Sequence, residues 1–285
     1  MKKPLALLNL VCLLGFGATA GAEPIISGSG SASWTENITR SPYEEAGKDA
    51  VIYAASAEAE WRNQLSRDLS LAFSTKAGLE KCPRFDGLDR TLAGLTLVAR
   101  RKAGLGPMAP VFRADLSFTG SWYRETMRTG NRWDAGLSWS KRWSDSWQTV
   151  LAADFMVNNG RARVYDYQHG GLSLEGRYDL SDRWQLTGGL KREWGDQVTY
   201  AWIGGSGASF PYVFEIWKNT TDILTYGPNW QAYTMSAHAD KVWLELSPAL
   251  GRDRSLPIRY EQTIVVGHGE SYLTRMLSLS YVQRF

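Results

Sequence analysis

Hydrophobic and polar residues alternate along most of the chain, and this alternation predicts β-strands. The clearest example runs from Arg132 to Asn158, where two alternating segments flank the polar turn Ser144-Asp145-Ser146. Apolar and aromatic side chains occupy one face of each segment, while charged and small polar side chains occupy the other. A period of two belongs to strands that separate two different environments. The segment therefore predicts an antiparallel hairpin.

The same alternation continues to the last residue of the chain. In Ser271 to Phe285, Leu277, Leu279 and Tyr281 share a face with Phe285. A strand that ends the chain leaves an edge of unpaired backbone groups, and that edge must pair with another strand. Closure into a barrel provides the partner, and lipid on one side with water on the other explains the alternation.

The pattern over the whole chain predicts an all-β fold, a transmembrane antiparallel up-and-down β-barrel of about 12 strands. The sequence also allows a barrel of ten or fourteen strands, because the link 245–255 is long for a periplasmic turn. The predicted strands are 28–38, 51–64, 69–79, 91–102, 110–123, 131–143, 147–158, 169–180, 184–195, 230–244, 256–267 and 271–285.

Aromatic residues recur at spacings that match the height of a membrane. Trp184 and Trp194 lie ten residues apart on one face, and so do Phe112 and Trp122. Ten residues of a tilted strand span roughly 25 Å, the height of the apolar band of such barrels. The predicted membrane-interface aromatics are Phe112, Trp122, Trp133, Trp139, Trp147, Trp184, Trp194, Tyr281 and Phe285.

The strand order also predicts which links face outward. Short polar turns after Leu65, Trp143 and Leu180 fall on the periplasmic side, so the longer links lie outside. The longest, near 196–229, carries a glycine-rich stretch and the aromatics Trp202, Phe210, Tyr212, Phe214, Trp217 and Tyr226. Two interpretations have equal weight: a loop folded into the mouth as a constriction or lid, or a surface loop that packs on its neighbours.

The first 22 residues have the features of a cleaved secretory signal peptide. Lys2 and Lys3 precede an apolar run, and Ala20-Gly21-Ala22 is a small-residue cleavage site. Residues 23–285 then form a single barrel. Cleavage would remove two lysines, leaving 30 basic and 29 acidic residues, which argues against a nucleic-acid partner. Cys82 would be the only cysteine of the mature chain, so we expect no intramolecular disulfide and no Cys-based zinc site. We predict no metal site and no cofactor.

Composition favours a membrane barrel over the alternative of a secreted β-sandwich. The chain has 13 Trp, 13 Tyr and 28 Gly, and its mean hydropathy is −0.31. A membrane barrel combines many aromatic residues with a low mean hydropathy. Its aromatic girdles account for the first, and its polar interior accounts for the second, because only alternate residues belong to the apolar band.

Two short motifs add a resemblance. Asn37-Ile38-Thr39-Arg40 and Arg84-Phe85-Asp86-Gly87-Leu88-Asp89 resemble motifs of an uncharacterised proteobacterial outer-membrane barrel family. The signal, the alternating strands and the terminal aromatic residue resemble Gram-negative outer-membrane barrels as a class. The resemblance implies location in the outer membrane, contact with its lipid and assembly by the barrel-assembly machinery through the C-terminal strand. It carries no established activity and no catalytic residues.

The inward positions of the predicted strands carry charges of both signs. Interleaved charges fit a water-filled pore that orients polar solutes, which we slightly favour. The alternative is a lumen plugged by its own ion pairs. The predicted lumen-lining residues are Glu58, Glu60, Arg62, Arg113, Asp115, Arg132, Asp134, Asp154, Glu175, Arg177, Lys191, Glu193, His238, Asp240, Arg259 and Glu261.

Enzyme hypotheses have little support in the sequence. His238 and Asp240 have the two-residue spacing of the Asp–His pair of omptin proteases, in reverse order, and we expect both on the luminal face. His169 and Ser173 are four apart, whereas outer-membrane phospholipase A has a spacing of two. We therefore predict no catalytic residues.

The leading functional hypothesis is a narrow, porin-like passive channel for a small polar solute. The alternative is a non-conducting structural or interaction barrel whose external loops bind a partner. A lipid-modifying enzyme or protease is the third hypothesis.

Overall fold

The computed structural model describes residues 23–43, 46–203, 219–267 and 269–285. Within these ranges the chain forms twelve long strands and the two short strands β10 and β12. They are β1 (Ile25–Thr35), β2 (Ala50–Gln64), β3 (Leu69–Lys81), β4 (Arg90–Lys102), β5 (Val111–Tyr123), β6 (Gly130–Arg142), β7 (Trp147–Gly160), β8 (Tyr167–Ser181), β9 (Trp184–Trp202), β10 (Asn219–Thr221), β11 (Trp230–Pro248), β12 (Arg254–Ser255), β13 (Ile258–Gly267) and β14 (Glu270–Arg284). The predicted signal peptide lies outside the described residues.

The long strands close into one antiparallel barrel. Each pairs with the next long strand along the chain, and β14 pairs with β1 from Ser27 opposite Arg284 to Thr35 opposite Met276. Closure gives the C-terminal strand a partner on both sides, so neither β1 nor β14 presents a free edge. The predicted fold class and the strand number of twelve are confirmed.

The outer surface of the barrel is apolar and rich in aromatic residues. Leu137, Leu190 and Val242 are among its most exposed side chains, and Trp184 and Trp194 are exposed on the same face of β9. Register puts all nine predicted interface aromatics on this outer face. Such a belt suits contact with lipid tails, with aromatic side chains at its borders.

Helices contribute little to the fold. In the part of the chain that the structure describes, no helix has the length and hydrophobicity needed to cross a membrane. Short 3₁₀ turns at Asp86–Leu88, Thr126–Arg128 and Arg163–Tyr165 lie in the external loops.

The long periplasmic link is shorter than predicted because strands occupy both of its ends. β11 continues to Pro248, and β12 pairs with the end of β14 through Arg254 opposite Gln283. The remaining backbone therefore finds hydrogen-bonding partners without a further barrel strand.

The ends of β1 and β9 differ from the predicted ones by three and seven residues. β1 ends at Thr35 instead of residue 38, since Asn37 has a left-handed backbone (φ 53°) that a strand does not accommodate. The Asn37 side-chain oxygen accepts a hydrogen bond from the Ser41 amide at 3.0 Å, which stabilises a turn there. β9 runs seven residues beyond its predicted end and enters the long external loop.

Candidate functional site

The external ends of β9 and β11 form a hairpin that lies across the mouth of the barrel. We call residues 196–202 and 230–236 the mouth hairpin; they pair from Asp196 opposite Ser236 to Trp202 opposite Trp230. One face packs on the inner barrel wall, where Tyr233 and Met235 meet Val265 and Tyr272. The other face packs on the external loop that contains Val164 and Tyr165.

Hydrogen bonds fix the mouth hairpin to two other loops. The Tyr200 amide donates to the Thr39 carbonyl at 3.1 Å, and the Thr234 hydroxyl donates to the Val164 carbonyl at 2.7 Å. The described part of the longest loop thus matches the constriction hypothesis rather than the surface-loop one. Residues 204–218, which include Phe210, Tyr212, Phe214 and Trp217, lie outside the described residues.

Gly195 marks the point where β9 leaves β8 and enters the mouth hairpin. Its φ is +137°, a conformation that residues with a side chain rarely adopt. A Cβ atom at this position would lie 2.3 Å from the Gln168 carbonyl oxygen and 2.7 Å from the His169 Cα. The pairing of β8 with β9 ends here, with His169 opposite Gly195. Glycine therefore permits both the bend and the close approach of the two strands.

A buried ion pair lies beside the mouth hairpin. Arg128 lies 2.6 Å from Asp222, and their side chains are 11% and 0% exposed. The Tyr165 hydroxyl donates to the same Asp222 oxygen at 3.0 Å. The rings of Tyr165, Tyr200 and Tyr226 lie within cation–π distance of the Arg128 guanidinium. Burial raises the pKa of Tyr165 and of Tyr226, so both phenols stay neutral.

Both sequence motifs lie beside this ion pair. Phe85 contacts Tyr226 edge to face, with ring centroids 5.0 Å apart. Gly87 lies so close to Thr225 that a Cβ atom would be 2.5 Å from its hydroxyl oxygen. The Asp89 carboxylate accepts hydrogen bonds from the Cys82 amide and the Lys81 ammonium. The short helix Ile223–Tyr226 therefore packs on the second motif.

A cavity of about 360 Å³ lies below the mouth hairpin. Four arginines line it, and three of them have carboxylate partners: Arg90 with Glu80 at 2.6 Å, Arg128 with Asp222, and Arg132 with Asp134 at 3.0 Å. The fourth is Arg40. Aromatic and aliphatic side chains cover most of the remaining wall, including Ile38, Ile52, Leu88, Leu92, Tyr123, Tyr165, Tyr167, Val198, Tyr200 and Tyr226.

The inner face of the barrel is lined by short ion pairs along single strands. Partners two residues apart on the inner face join Glu60 with Arg62, Arg113 with Asp115, Arg132 with Asp134, Glu175 with Arg177, and Arg259 with Glu261. Register puts Glu58 and Asp154 on the same face. Glu193 links neighbouring strands, with Lys191 at 2.9 Å and Lys241 at 3.0 Å. Fourteen of the sixteen predicted lumen-lining residues thus lie on the inner face.

The expectation for the other two, His238 and Asp240, is wrong. His238 is opposite Trp194 and Asp240 is opposite Arg192, on the face that carries the exposed Leu190 and Val242. Both side chains therefore point outward. The alternation of β11 is ambiguous in the sequence, because its inner face carries Ala239 and Trp243 beside Lys241. Trp243 packs over Gly189 inside the barrel, with its ring 2.2 Å from where a Cβ would lie.

The mouth residues were not predicted from the sequence as site residues. Arg128 and Asp222 are 94 positions apart in two loops, and nothing in an alternating pattern links them. Arg40 belongs to the first sequence motif, and that motif is the one sequence feature that indicates this residue. Among the described residues, no group of three or more His, Cys, Asp or Glu side chains could hold a metal ion.

No protein-family model matches the chain, and no curated protein matches its sequence. Solved structures are similar in fold. An outer membrane channel from Pseudomonas putida F1 has a TM-score of 0.54 at 16% identity, covering 94% of this chain and 100% of that chain. The outer membrane channel DcaP of Acinetobacter baumannii has a TM-score of 0.43 at 10% identity, covering 94% and 99%. Outer membrane phospholipase A from Escherichia coli has a TM-score of 0.42 at 12% identity, covering 94% and 93%.

Proposed function

The chain is a Gram-negative outer-membrane β-barrel, and we propose that it is a passive channel for a small solute, constricted at its mouth. The observation that carries the proposal is the mouth hairpin above a cavity of about 360 Å³ that is lined by four arginines and several tyrosines. A barrel of this size has room for a narrow passage. The Pseudomonas putida F1 protein of similar fold is itself described as an outer membrane channel, which agrees with the proposal.

The charges of the inner face support passage of polar solutes without strong preference for one ion sign. Positive and negative side chains alternate there as pairs, and many of them are partly exposed. A wall of this kind offers hydrogen-bond donors and acceptors to a solute. We therefore expect weak selectivity between small cations and anions in the lumen.

The register of the mouth hairpin allows a direct test by conductance. Asp196 and Ser236 lie opposite each other at its base, so an Asn-Gly turn can replace residues 197–235. We expect refolded wild-type protein to give small or rare openings in planar bilayers, and the shortened variant to give larger, longer ones. The matched control is Gly251→Ala in the exposed periplasmic link, where the added Cβ atom would have no neighbour within 4 Å. Absence of current from both barrels would refute the channel.

A closed interaction barrel is the second candidate, and the buried Arg128–Asp222 pair favours it. That pair and the Glu193 network fix the mouth and one wall in a single arrangement. In that case the external loops would be the functional surface. The conductance experiment separates the two candidates, since only the channel predicts current after the hairpin is removed.

The enzyme hypothesis is weakened by the partner of Asp240. Both oxygens of its carboxylate accept hydrogen bonds from Arg192, each at 2.6 Å. A carboxylate held in this way by a guanidinium is poorly placed to orient His238 as a general base. We expect His238→Ala to leave any lipid or peptide turnover of the purified protein unchanged.

A further inference from the structure

Arg40 differs from the other three arginines of the mouth cavity. Its side chain lines the cavity together with Tyr167, Tyr200 and Tyr226. No carboxylate oxygen within the described ranges lies within 4.0 Å of its guanidinium. Arg90, Arg128 and Arg132 each have a carboxylate partner, so Arg40 is the one arginine of the cavity whose positive charge has no such partner among the described residues.

The backbone around Arg40 is held in a conformation that brings its side chain to this position. Arg40 has φ 52°, in the left-handed region that non-glycine residues adopt only where their surroundings fix them. The buried Thr39 donates to the Ala46 carbonyl at 2.7 Å, and Asn37 donates to the Leu273 carbonyl of β14 at 3.2 Å. This turn is therefore tied to the barrel wall on one side and to the mouth hairpin, through Tyr200, on the other.

Tyrosine rings and aliphatic side chains make up much of the rest of the cavity wall and suit a planar ring, while Asn158 and two hydroxyl side chains add polar groups. Rings of Tyr123, Tyr167, Tyr200 and Tyr226 face the cavity, together with branched aliphatic side chains. Its volume lies at the lower end of the range for small-molecule sites, so a molecule with a single ring fits best. Aromatic side chains pack on a ring by stacking or by edge contacts.

We propose that the mouth cavity binds a small aromatic monocarboxylate, with Arg40 pairing with the carboxylate and the tyrosines packing on the ring. A guanidinium pairs with a carboxylate through two parallel hydrogen bonds. One arginine without a carboxylate partner in the described part of the chain matches a monoanion, and Glu80 on the same wall disfavours a dianion. The role of this molecule as transported solute rests on the proposed channel function, whereas its binding does not.

Calorimetry on the refolded protein in detergent micelles tests the site with benzoate as the probe. Acetate has the carboxylate without the ring, and benzyl alcohol has the ring without the charge. We expect benzoate to bind at least ten-fold more tightly than either. Arg40→Gln should lose at least ten-fold in benzoate affinity. Arg40→Lys should lose several-fold, because lysine keeps the positive charge but lacks the two parallel N–H donors of a guanidinium.

The matched control is Arg161→Gln, which removes the same charge from an exposed external-loop residue outside the cavity. It should bind benzoate as wild type does. Unchanged affinity in Arg40→Gln, or benzoate no tighter than acetate, would overturn the proposal. If Arg40→Gln fails to refold, Arg40→Lys and the comparison of probes decide it. Conductance without benzoate binding removes only this site, while benzoate binding without conductance removes only the channel.

Discussion

Glu193 is buried on the inner face of β9, although a carboxylate loses favourable hydration when it leaves water. Its oxygens meet Lys191 on the same strand and Lys241 on β11, and His169 of β8 lies 3.9 Å away. Lys191 in turn reaches Asp154 on β7 at 2.9 Å. Glu193 therefore belongs to a network of ionisable side chains from four neighbouring strands.

Replacing this carboxylate should destabilise the barrel far more than replacing an exposed one. Glu193→Gln leaves two lysines without their shared partner, and we expect a loss of about 3 kcal/mol in the free energy of unfolding. The control is Glu175→Gln, whose partner Arg177 is 43% exposed; we expect a loss of less than about 1 kcal/mol. Urea unfolding in lipid vesicles measures both, and equal losses would contradict the special role of Glu193.

Gly87 offers a second test at the level of one residue. A methyl group there would meet Thr225 at 2.5 Å to its hydroxyl oxygen and 2.7 Å to its Cα. Because backbone atoms cannot yield as a flexible side chain can, Gly87→Ala should displace the helix Ile223–Tyr226. We expect faster amide hydrogen exchange at Tyr226 and Gly227, with the exchange of β4 and β5 unchanged. Wild-type protection throughout the mouth would count against this contact.

At the scale of elements, the mouth hairpin depends on the bend at Gly195. Gly195→Ala introduces a side chain at φ +137° and against the β8 backbone, which should cost about 1–3 kcal/mol. Gly188→Ala is the matched control on the same strand, because its Cβ would lie 3.5 Å from the nearest atom, an ordinary contact. Hydrogen exchange of Val198 and Tyr200 should rise only in the first variant. A similar rise in both would indicate that the bend does not require glycine.

The strands were predictable because one local rule, alternation between lipid and lumen, acts on nearly every residue. Eleven of the twelve predicted strands begin within two residues of the observed ones. β1 begins three residues before its predicted start, and it ends three residues early because of the left-handed backbone of Asn37. The site was not predictable in the same way. Arg128, Asp222 and Tyr226 come together through loops whose positions depend on packing, and the face of His238 depends on register with β9.

At the scale of the whole molecule, the barrel has a polar inside, an apolar outside and a mouth constricted by the hairpin. A single strand contributes to all three of these features. β9 places Trp184, Leu190 and Trp194 on the outer belt. The same strand places Glu193 in the lumen and Tyr200 in the mouth. The belt gives the barrel its position in the membrane. The lumen and the mouth then act at fixed depths relative to the two membrane surfaces.

The depth of the belt can be measured with a pair of lysine substitutions. Leu190 is 55% exposed and lies between the interface tryptophans of β9, whereas Leu180 is 52% exposed and lies beside the periplasmic turn. A charge in the middle of the bilayer costs about 2–4 kcal/mol, and one near its surface about 0–1 kcal/mol. We therefore expect Leu190→Lys to lower the free energy of unfolding in vesicles by the larger amount and Leu180→Lys by the smaller. The two leucines are almost equally exposed, so a difference between the variants reports depth and not packing. If both lysines cost the same, the belt does not lie between Trp184 and Trp194.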